Sequence, residues 1–452
     1  MLDQTQGPRR KIAIVGGGIS GLSAAYYLSS RHDVVLYEAA PRLGGHARTV
    51  IAGKRCDQPV DTGFIVFNYA TYPYLTRLFR ELDVPVKKSD MSFAASLEGG
   101  RIEYALNGLQ GLTAQKRNLL RPGYYRMIAD ILRFGKAADQ MEADNETTIG
   151  ELVSRLGLSA SFRDHYLLPM CGAIWSTPEA EVDAFPAQSL IRFFKNHGLL
   201  ASAHNHQWWT VEGGSVAYVR RLEAALIGRG CTVMTATPVK AITRTSTGIE
   251  LAADGHETHR FDEVVLACHS DQALKILGSG ATLAETRALS AIRYQPNTAV
   301  LHCDPQQMPR RKACWASWSY RAQAGGGVGV TYWMNRLQNI PQDDPLFVTL
   351  NAGTNIPEHL IYDQTSFAHP VFDKDALRAQ GQIRAMQGDN NTWFAGAYNR
   401  HGFHEDGIAS AMRVVRQINS RTNNDDVSEG LIRDFDNQRL EKRIPVDLRA
   451  PA

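Results

Sequence analysis

Long apolar runs, paired cysteines and an excess of one charge are all missing from this 452-residue chain, and each absence excludes a class of protein. No stretch approaches the ~20 apolar residues that a membrane-spanning helix requires. The basic run Pro8 to Lys11 is followed only by Ile12-Ala13-Ile14-Val15 before three glycines, too short for the apolar region of a secretory signal. The six cysteines (Cys56, Cys171, Cys231, Cys268, Cys303, Cys314) never stand in C-x-x-C spacing, which excludes a zinc ribbon or a redox dithiol. They are expected to be reduced packing thiols of a cytoplasmic protein. With 49 basic against 46 acidic residues, no surplus of cations remains to neutralise phosphates, so nucleic-acid binding is not expected. What is present is ordinary: 44% hydrophobic and 21% charged residues, enough for a large core. The length allows about three domains, or two that share one cofactor crevice.

The N-terminal segment carries the first specific pattern. Lys11 to Val15 is β-branched and ends in Gly16-Gly17-Gly18-Ile19-Ser20-Gly21; Leu22 to Leu28 has helical character, and Asp33 to Tyr37 is a second strand closed by Glu38. Strand, glycine turn, helix, strand and acid form the context in which G-x-G-x-x-G means a dinucleotide site. Gly16 allows the tight turn, Gly18 lets a pyrophosphate approach the backbone, and Gly21 lets the helix pack closely on the strand. The helix start at Ile19-Ser20 offers unpaired N–H groups to phosphate. Glu38 can accept hydrogen bonds from ribose hydroxyls, which argues against a 2′-phosphate.

The stretch Glu38-Ala39-Ala40-Pro41-Arg42-Leu43-Gly44-Gly45-His46 resembles the E-x-x-x-R-x-G-G-R segment of the flavin amine oxidase and phytoene desaturase superfamily. The resemblance implies FAD, with Arg42, Gly44 and Gly45 along its pyrophosphate and ribityl chain; His46 stands where the family has Arg. Further along, Val60-Asp61-Thr62-Gly63-Phe64 resembles the segment that reaches the flavin, placing Gly63 and Phe64 there. Thr210 to Ser215 resembles the glycine pair that returns the chain to the FAD domain, and Val233 to Ile242 the strand whose valine, Val239, faces adenine. Trp393 to Gly396 and Gly402 to Gly407 match the closing segment, implying that Gly396, His404, Glu405 and Asp406 surround a helix start aimed at the flavin. Ala397 occupies the place of the family's ribityl-binding acid, for which Glu405 or Asp406 could substitute. The fold implied is α/β: a Rossmann-like (GR2-type) FAD-binding domain with an inserted mixed α+β substrate domain. It would be assembled from residues 1–70, 205–272 and 388–420, with 71–204 and 273–387 as the substrate domain and 421–452 as a peripheral tail. The first insert reads as largely helical. In the second, Thr298 to Leu301 and Phe347 to Leu350 read as strands, and Gly325 to Gly329 as a hairpin turn.

Within that superfamily the chain most resembles bacterial flavoproteins associated with cyclopropane and methyl-branched fatty-acid synthases. The resemblance rests on Leu43 to His46, Asp61 to Asn68 with Tyr72-Pro73, and Gly402 to Gly407. It implies a fatty-acyl chain that is desaturated or oxidised. A double-bond isomerase, an amine oxidase and a non-catalytic lipid-binding protein are the alternatives. Aligned by eye, Thr298 stands where amine oxidases carry a flavin-side Lys, which counts against amines. A proton acceptor beside an apolar substrate is expected among His404, Glu405 and Tyr398, each of which could equally be a cap, a flavin contact or a wall aromatic. Trp208 and Trp209 are expected to pack, and His197, His204 and His206 to lie in a solvated loop without metal-like spacing. Arg117 to Lys136 interleaves cations with apolar residues, as in an interfacial helix or an ordinary amphipathic one, and raises the expectation of peripheral membrane contact.

Overall fold

The computed structural model describes residues 9–140, 146–175, 182–196, 206–322, 328–352 and 356–422. Five parallel strands form one sheet, in the order Thr232–Met234, Asp33–Tyr37, Lys11–Val15, Glu263–Leu266, Thr392–Phe394. Its strands are apolar on both sides because both sides are covered. Ile12 and Ile14 enter one core with Leu36 and Val265, while Ala13 and Val15 enter another with Tyr37, Val264 and Leu266. Helix Ile19–Leu28 is buried almost all round, between the sheet and the helices Val216–Gly228 and His404–Thr422.

A second sheet has seven strands, ordered Ile361–Pro370, Tyr294–His302, Phe347–Leu350, Val328–Trp333, Trp318–Ala322, Phe93–Leu97, Ile102–Ala105. Its one parallel pair, Trp318–Ala322 with Phe93–Leu97, joins the two inserted segments. The expected strands at Thr298 to Leu301 and Phe347 to Leu350 are both present. Val328–Trp333 pairs antiparallel with Trp318–Ala322, as a hairpin requires, although the turn at 323–327 lies outside the described residues.

The first insert is largely helical, as expected, but not uniformly so: strands Val86–Ser89, Phe93–Leu97 and Ile102–Ala105 lie between helix Pro73–Glu81 and the later helices. The runs Phe93–Leu97 and Ile102–Ala105 are buried at every position, and a short continuous apolar run has no period to separate strand from helix. Val233 to Ile242 is not one strand either. Thr232–Met234 ends the parallel sheet and Val239–Thr245 opens a three-stranded meander. Between them Ala236 adopts φ 51°, and Pro238 has no N–H for a ladder. Helices Ser270–Leu277, Leu283–Ser290 and Lys374–Ala385 share the core on the Ala13 face of the parallel sheet, although the last two, and most of the first, lie in the second insert.

Candidate functional site

Strands Lys11–Val15 and Asp33–Tyr37 of the parallel sheet lead into two glycine loops that dock on each other. Gly16, at φ 111°, turns the chain, and any Cβ there would lie 2.8 Å from the Ala267 oxygen. At Gly21 a Cβ would overlap the Gly16 carbonyl oxygen, so only glycine lets the helix start against the strand. Gly18 differs from both: its backbone is extended, and nothing lies within 4 Å of where its Cβ would be. The second loop docks directly on the first through Gly44 N–H to Gly17 O at 2.8 Å, and a Cβ on Gly45 would come 3.1 Å from Gly18 Cα. The open side of Gly18, beside a helix start that includes the buried Ser20, leaves room in which a phosphate could meet backbone N–H groups.

Glu38 is held in place before any ligand arrives. Its carboxylate accepts from Gly17 N–H at 2.5 Å and Ala40 N–H at 2.8 Å. The bonds Glu38 N–H to Met234 O and Thr237 N–H to Glu38 O bring the start of the Val239 strand to the same edge. Arg42 spans its own loop, donating to the carbonyls of Leu43, Gly45 and Ala47. It therefore rigidifies the glycine loop, an assignment that sequence reading did not make.

The closing segment meets the first helix at the same place. A Cβ on Gly407 would come 2.8 Å from Ile19 Cγ2 and 2.9 Å from Ser20 Oγ, so helices His404–Thr422 and Ile19–Leu28 converge near their N-terminal ends. Gly396 must be glycine because the Tyr398 ring occupies its Cβ position. The two acids have structural partners: Asp406 accepts from Phe403 N–H at 3.0 Å and His401 N–H at 3.2 Å, capping its own helix. Glu405 accepts from Tyr74 and Leu75 N–H, both at 3.0 Å, and so caps helix Pro73–Glu81 from outside it. Burial pushes its pKa up to about 8, against the pull of those two N–H groups. Tyr398 is buried, its pKa driven well above 10 by desolvation, and its hydroxyl meets no partner at hydrogen-bonding geometry.

His404 stacks on Phe64 at 3.9 Å between ring centroids, and its Nε2 lies 3.1 Å from the Tyr218 hydroxyl. Desolvation depresses its pKa to about 3, so the ring is neutral. His46 stacks on Phe367 at 4.8 Å, with His369 at 5.4 Å and His269 at 6.0 Å. Burial, and then the neighbouring histidines, hold His46 well below its usual value; burial likewise lowers His269, and brings His369 to about 4. Four imidazoles therefore line this region uncharged. Gly63 packs its Cα against the His46 carbonyl oxygen, which also accepts Phe64 N–H at 2.9 Å.

The tautomer of His369 follows from its neighbours. Thr298 N–H donates to Asn351 Oδ1, so Asn351 Nδ2 donates to Asn297 Oδ1 at 2.7 Å. Asn297 Nδ2 is left to donate to His369 Nδ1 at 2.9 Å, and the neutral ring carries its proton on Nε2. The same register corrects the assignment of Thr298. Phe367 pairs with Asn297 and His369 with Gln295, so the face meeting His46 carries Gln295, Asn297, Ala299 and Leu301; Thr298 alternates to the other face. That face has no lysine in this strand.

His46, His269 and the Phe367/His369 pair were found together only by folding, since they lie on three separate segments. Asp61 was read as part of a flavin-contacting run. It is instead a buried hub that accepts from Ser215 N–H and Oγ, Thr49 Oγ1 and Gln338 Nε2, with burial raising its pKa to about 6. Arg48 and Asp363, bidentate at 2.6 and 2.9 Å, tie the glycine-loop side to the seven-stranded sheet. Trp208 is buried and Trp209 is packed edge-on to Tyr69, as expected. His197 and His204 lie outside the described residues, and no metal-holding cluster occurs among the described ones.

The model of one protein family, the flavin-containing amine oxidoreductases, matches residues 19–335. The chain belongs to that family. Protoporphyrinogen oxidase of Bos taurus is 24% identical over 323 residues, 63% of this chain and 64% of that protein. The chain thus spans a little under two thirds of the length of that relative. The 15-cis-phytoene desaturase of Glycine max is 28% identical over 179 residues, 36% of this chain and 31% of that protein. Among solved structures, the CLA-producing fatty acid isomerase from P. acnes superposes with TM-score 0.64 at 16% identity, covering 92% of this chain and 99% of its own. Membership carries FAD as the cofactor, and the residues fit it. Glu38 is preset beside the open side of Gly18, and the N-termini of helices Ile19–Leu28 and His404–Thr422 converge there, where they would supply partial positive charge to a bound FAD.

Proposed function

We propose that the chain is an FAD-dependent oxidoreductase that removes two hydrogens from an apolar substrate, a fatty-acyl chain above all. The observation carrying this reading is that the wall facing the glycine loops offers no unpaired charge among the described residues, Arg48 and Asp363 at its edge neutralising each other. Phe64, Phe367, Gln295 and neutral His46, His369 and His404 form the wall, backed by the buried Asn297, Ala299 and Leu301 of the same strand face. Trp318 and Tyr332, T-shaped at 5.7 Å, remain part-exposed where two cores meet. An ammonium substrate would be desolvated there without a counter-charge, whereas an alkyl chain loses nothing. The relatives' names span protoporphyrinogen, phytoene, amino acids, putrescine and a fatty acid, so the lining rather than the names favours acyl substrates.

FAD, when bound, supplies the two-electron acceptor. The chain's part is to exclude water and to hold the reacting carbon in one orientation. His369, protonated on Nε2 and fixed through Asn297, offers a hydrogen-bond donor, while His404 at a pKa of about 3 is a weak base. The fatty-acid-synthase association implied by Leu43 to His46 and Gly402 to Gly407 would make methyl-branched acyl chains the substrate. Incubation with methyl-branched and straight-chain phospholipids under air, followed by mass spectrometry, tests the reading. Loss of two hydrogens per chain with oxygen or acceptor consumed supports it. A shifted double bond at constant mass would replace it with an isomerase, and unchanged lipid would reject it.

A further inference from the structure

Five of the nine large apolar side chains left exposed among the described residues fall between positions 109 and 132: Leu109, Leu119, Leu120, Tyr125 and Leu132. Leu120 is 83% and Leu109 80% accessible. Their exposure is built in by the local structure. Asn118, fully buried and donating to Glu103 O at 2.9 Å, pins the short turn Lys116–Leu120 so that Leu119 and Leu120 face out. In the following helix Pro122–Gln140, Tyr124, Met127, Phe134 and Ala138 enter the core, and the opposite stripe presents Tyr125, Arg126, Leu132, Arg133 and Lys136. The spacing is the helical period, so the outward apolar residues are as regular as the inward ones.

Charge on this face has one sign. Between Glu103 and Asp130 the sequence contains no acidic residue, and Asp130 is buried and paired with Arg133. Arg133 also donates to Leu156 O, which takes it out of play. Lys116, Arg117, Arg121 and Arg126 remain, and none forms an ion pair among the described residues. No helix of the described residues is long and apolar enough to cross a membrane.

We infer that this face docks on the anionic headgroup layer of a phospholipid membrane. Leu109, Leu120 and Leu132 insert at the acyl boundary while the four cations meet lipid phosphates. A nucleic acid would satisfy the cations and leave the leucines in water, and the alternation of both kinds matches an interface that is apolar below and anionic above. The inference is independent of the flavin chemistry. Each basic residue adds roughly fivefold to partition onto an anionic surface, so neutralising three costs on the order of a hundredfold.

Co-sedimentation of the full chain with phosphatidylglycerol-containing vesicles tests it, with phosphatidylcholine vesicles as the uncharged reference. The expected result is binding to the anionic vesicles, loss at high salt, and loss in the variant Arg117→Gln, Arg121→Gln, Arg126→Gln. Leu120→Gln with Leu132→Gln, which leaves the charge unchanged, is a second variant and should also lose binding; retained flavin absorbance shows that each is folded. A wild-type chain that stays in the supernatant overturns the inference. So does equal binding to both vesicle types, or variants that bind as wild type does.

Discussion

Replacing Gly18 by Ala should separate cofactor binding from folding. Gly18 sits at φ −77° and ψ −177°, which alanine adopts without strain, and a Cβ there meets nothing within 4 Å. In the apoprotein, alanine is a poorer helix N-cap than glycine but costs less unfolded-state entropy. These opposing effects keep the change in stability within about 1 kcal/mol. With FAD present the same methyl group occupies the space a phosphate needs. Charge-assisted hydrogen bonds of this kind are worth roughly 1.5–3 kcal/mol, so affinity should fall about tenfold to about 150-fold. Thermal melting of the apoprotein and flavin-fluorescence titration read the two effects. A variant that binds FAD as wild type does, or one that melts much lower without it, would refute the assignment of Gly18 as the phosphate cradle.

Gly21→Ala should behave oppositely. Its Cβ would overlap the Gly16 oxygen, so the apoprotein itself should lose about 1–3 kcal/mol in urea titration. Glu405→Ala strips the acceptor from Tyr74 and Leu75 N–H and should cost about 2 kcal/mol, measured by denaturant midpoint; a loss of turnover at unchanged stability would instead make Glu405 catalytic. His302 is fully buried, accepts Asp304 N–H at Nδ1 and donates to Thr349 Oγ1, and burial lowers its pKa to about 4. It stays neutral in the folded state while the unfolded chain protonates below about 6.5, so its stabilisation is present at pH 7 and fades as pH falls towards 4. The raised values of Glu405 and Asp61 act in the opposite direction, so the whole-protein profile does not isolate it. The stability gap between wild type and His302→Gln should therefore narrow by about 2 kcal/mol from pH 7 to pH 5; a constant gap would contradict the burial argument.

The parts of the site legible in the sequence are those that residue type alone decides. Gly16, Gly18 and Gly21 do three different jobs because a Cβ would meet a backbone oxygen, nothing, and another backbone oxygen. The position of Glu38 at the end of the second strand was legible, whereas its bonds to Gly17 and Ala40 N–H depend on how the glycine loop folds back. The substrate side was not legible, because it depends on strand register. Thr298 and Asn297 are neighbours in sequence, yet the pairing of Phe367 with Asn297 decides which one faces His46. His269 and His369 carry no local pattern at all and reach His46 from two distant segments. Glu405 and Asp406 were correctly placed at a helix start, but which backbone N–H groups they satisfy depends on the arrival of helix Pro73–Glu81. The strands Phe93–Leu97 and Ile102–Ala105 escaped for the reason that any fully buried short run does.

An uncharged wall that presents FAD to an alkyl chain is the central proposal, and anaerobic reduction of the bound flavin tests it most directly. The purified protein would be freed of oxygen and mixed in parallel with methyl-branched phospholipid and with primary amines, while the visible flavin bands are followed. Bleaching by the lipid and not by amines is the predicted result. Bleaching by amines alone would contradict the reading of the neutral histidine and phenylalanine wall.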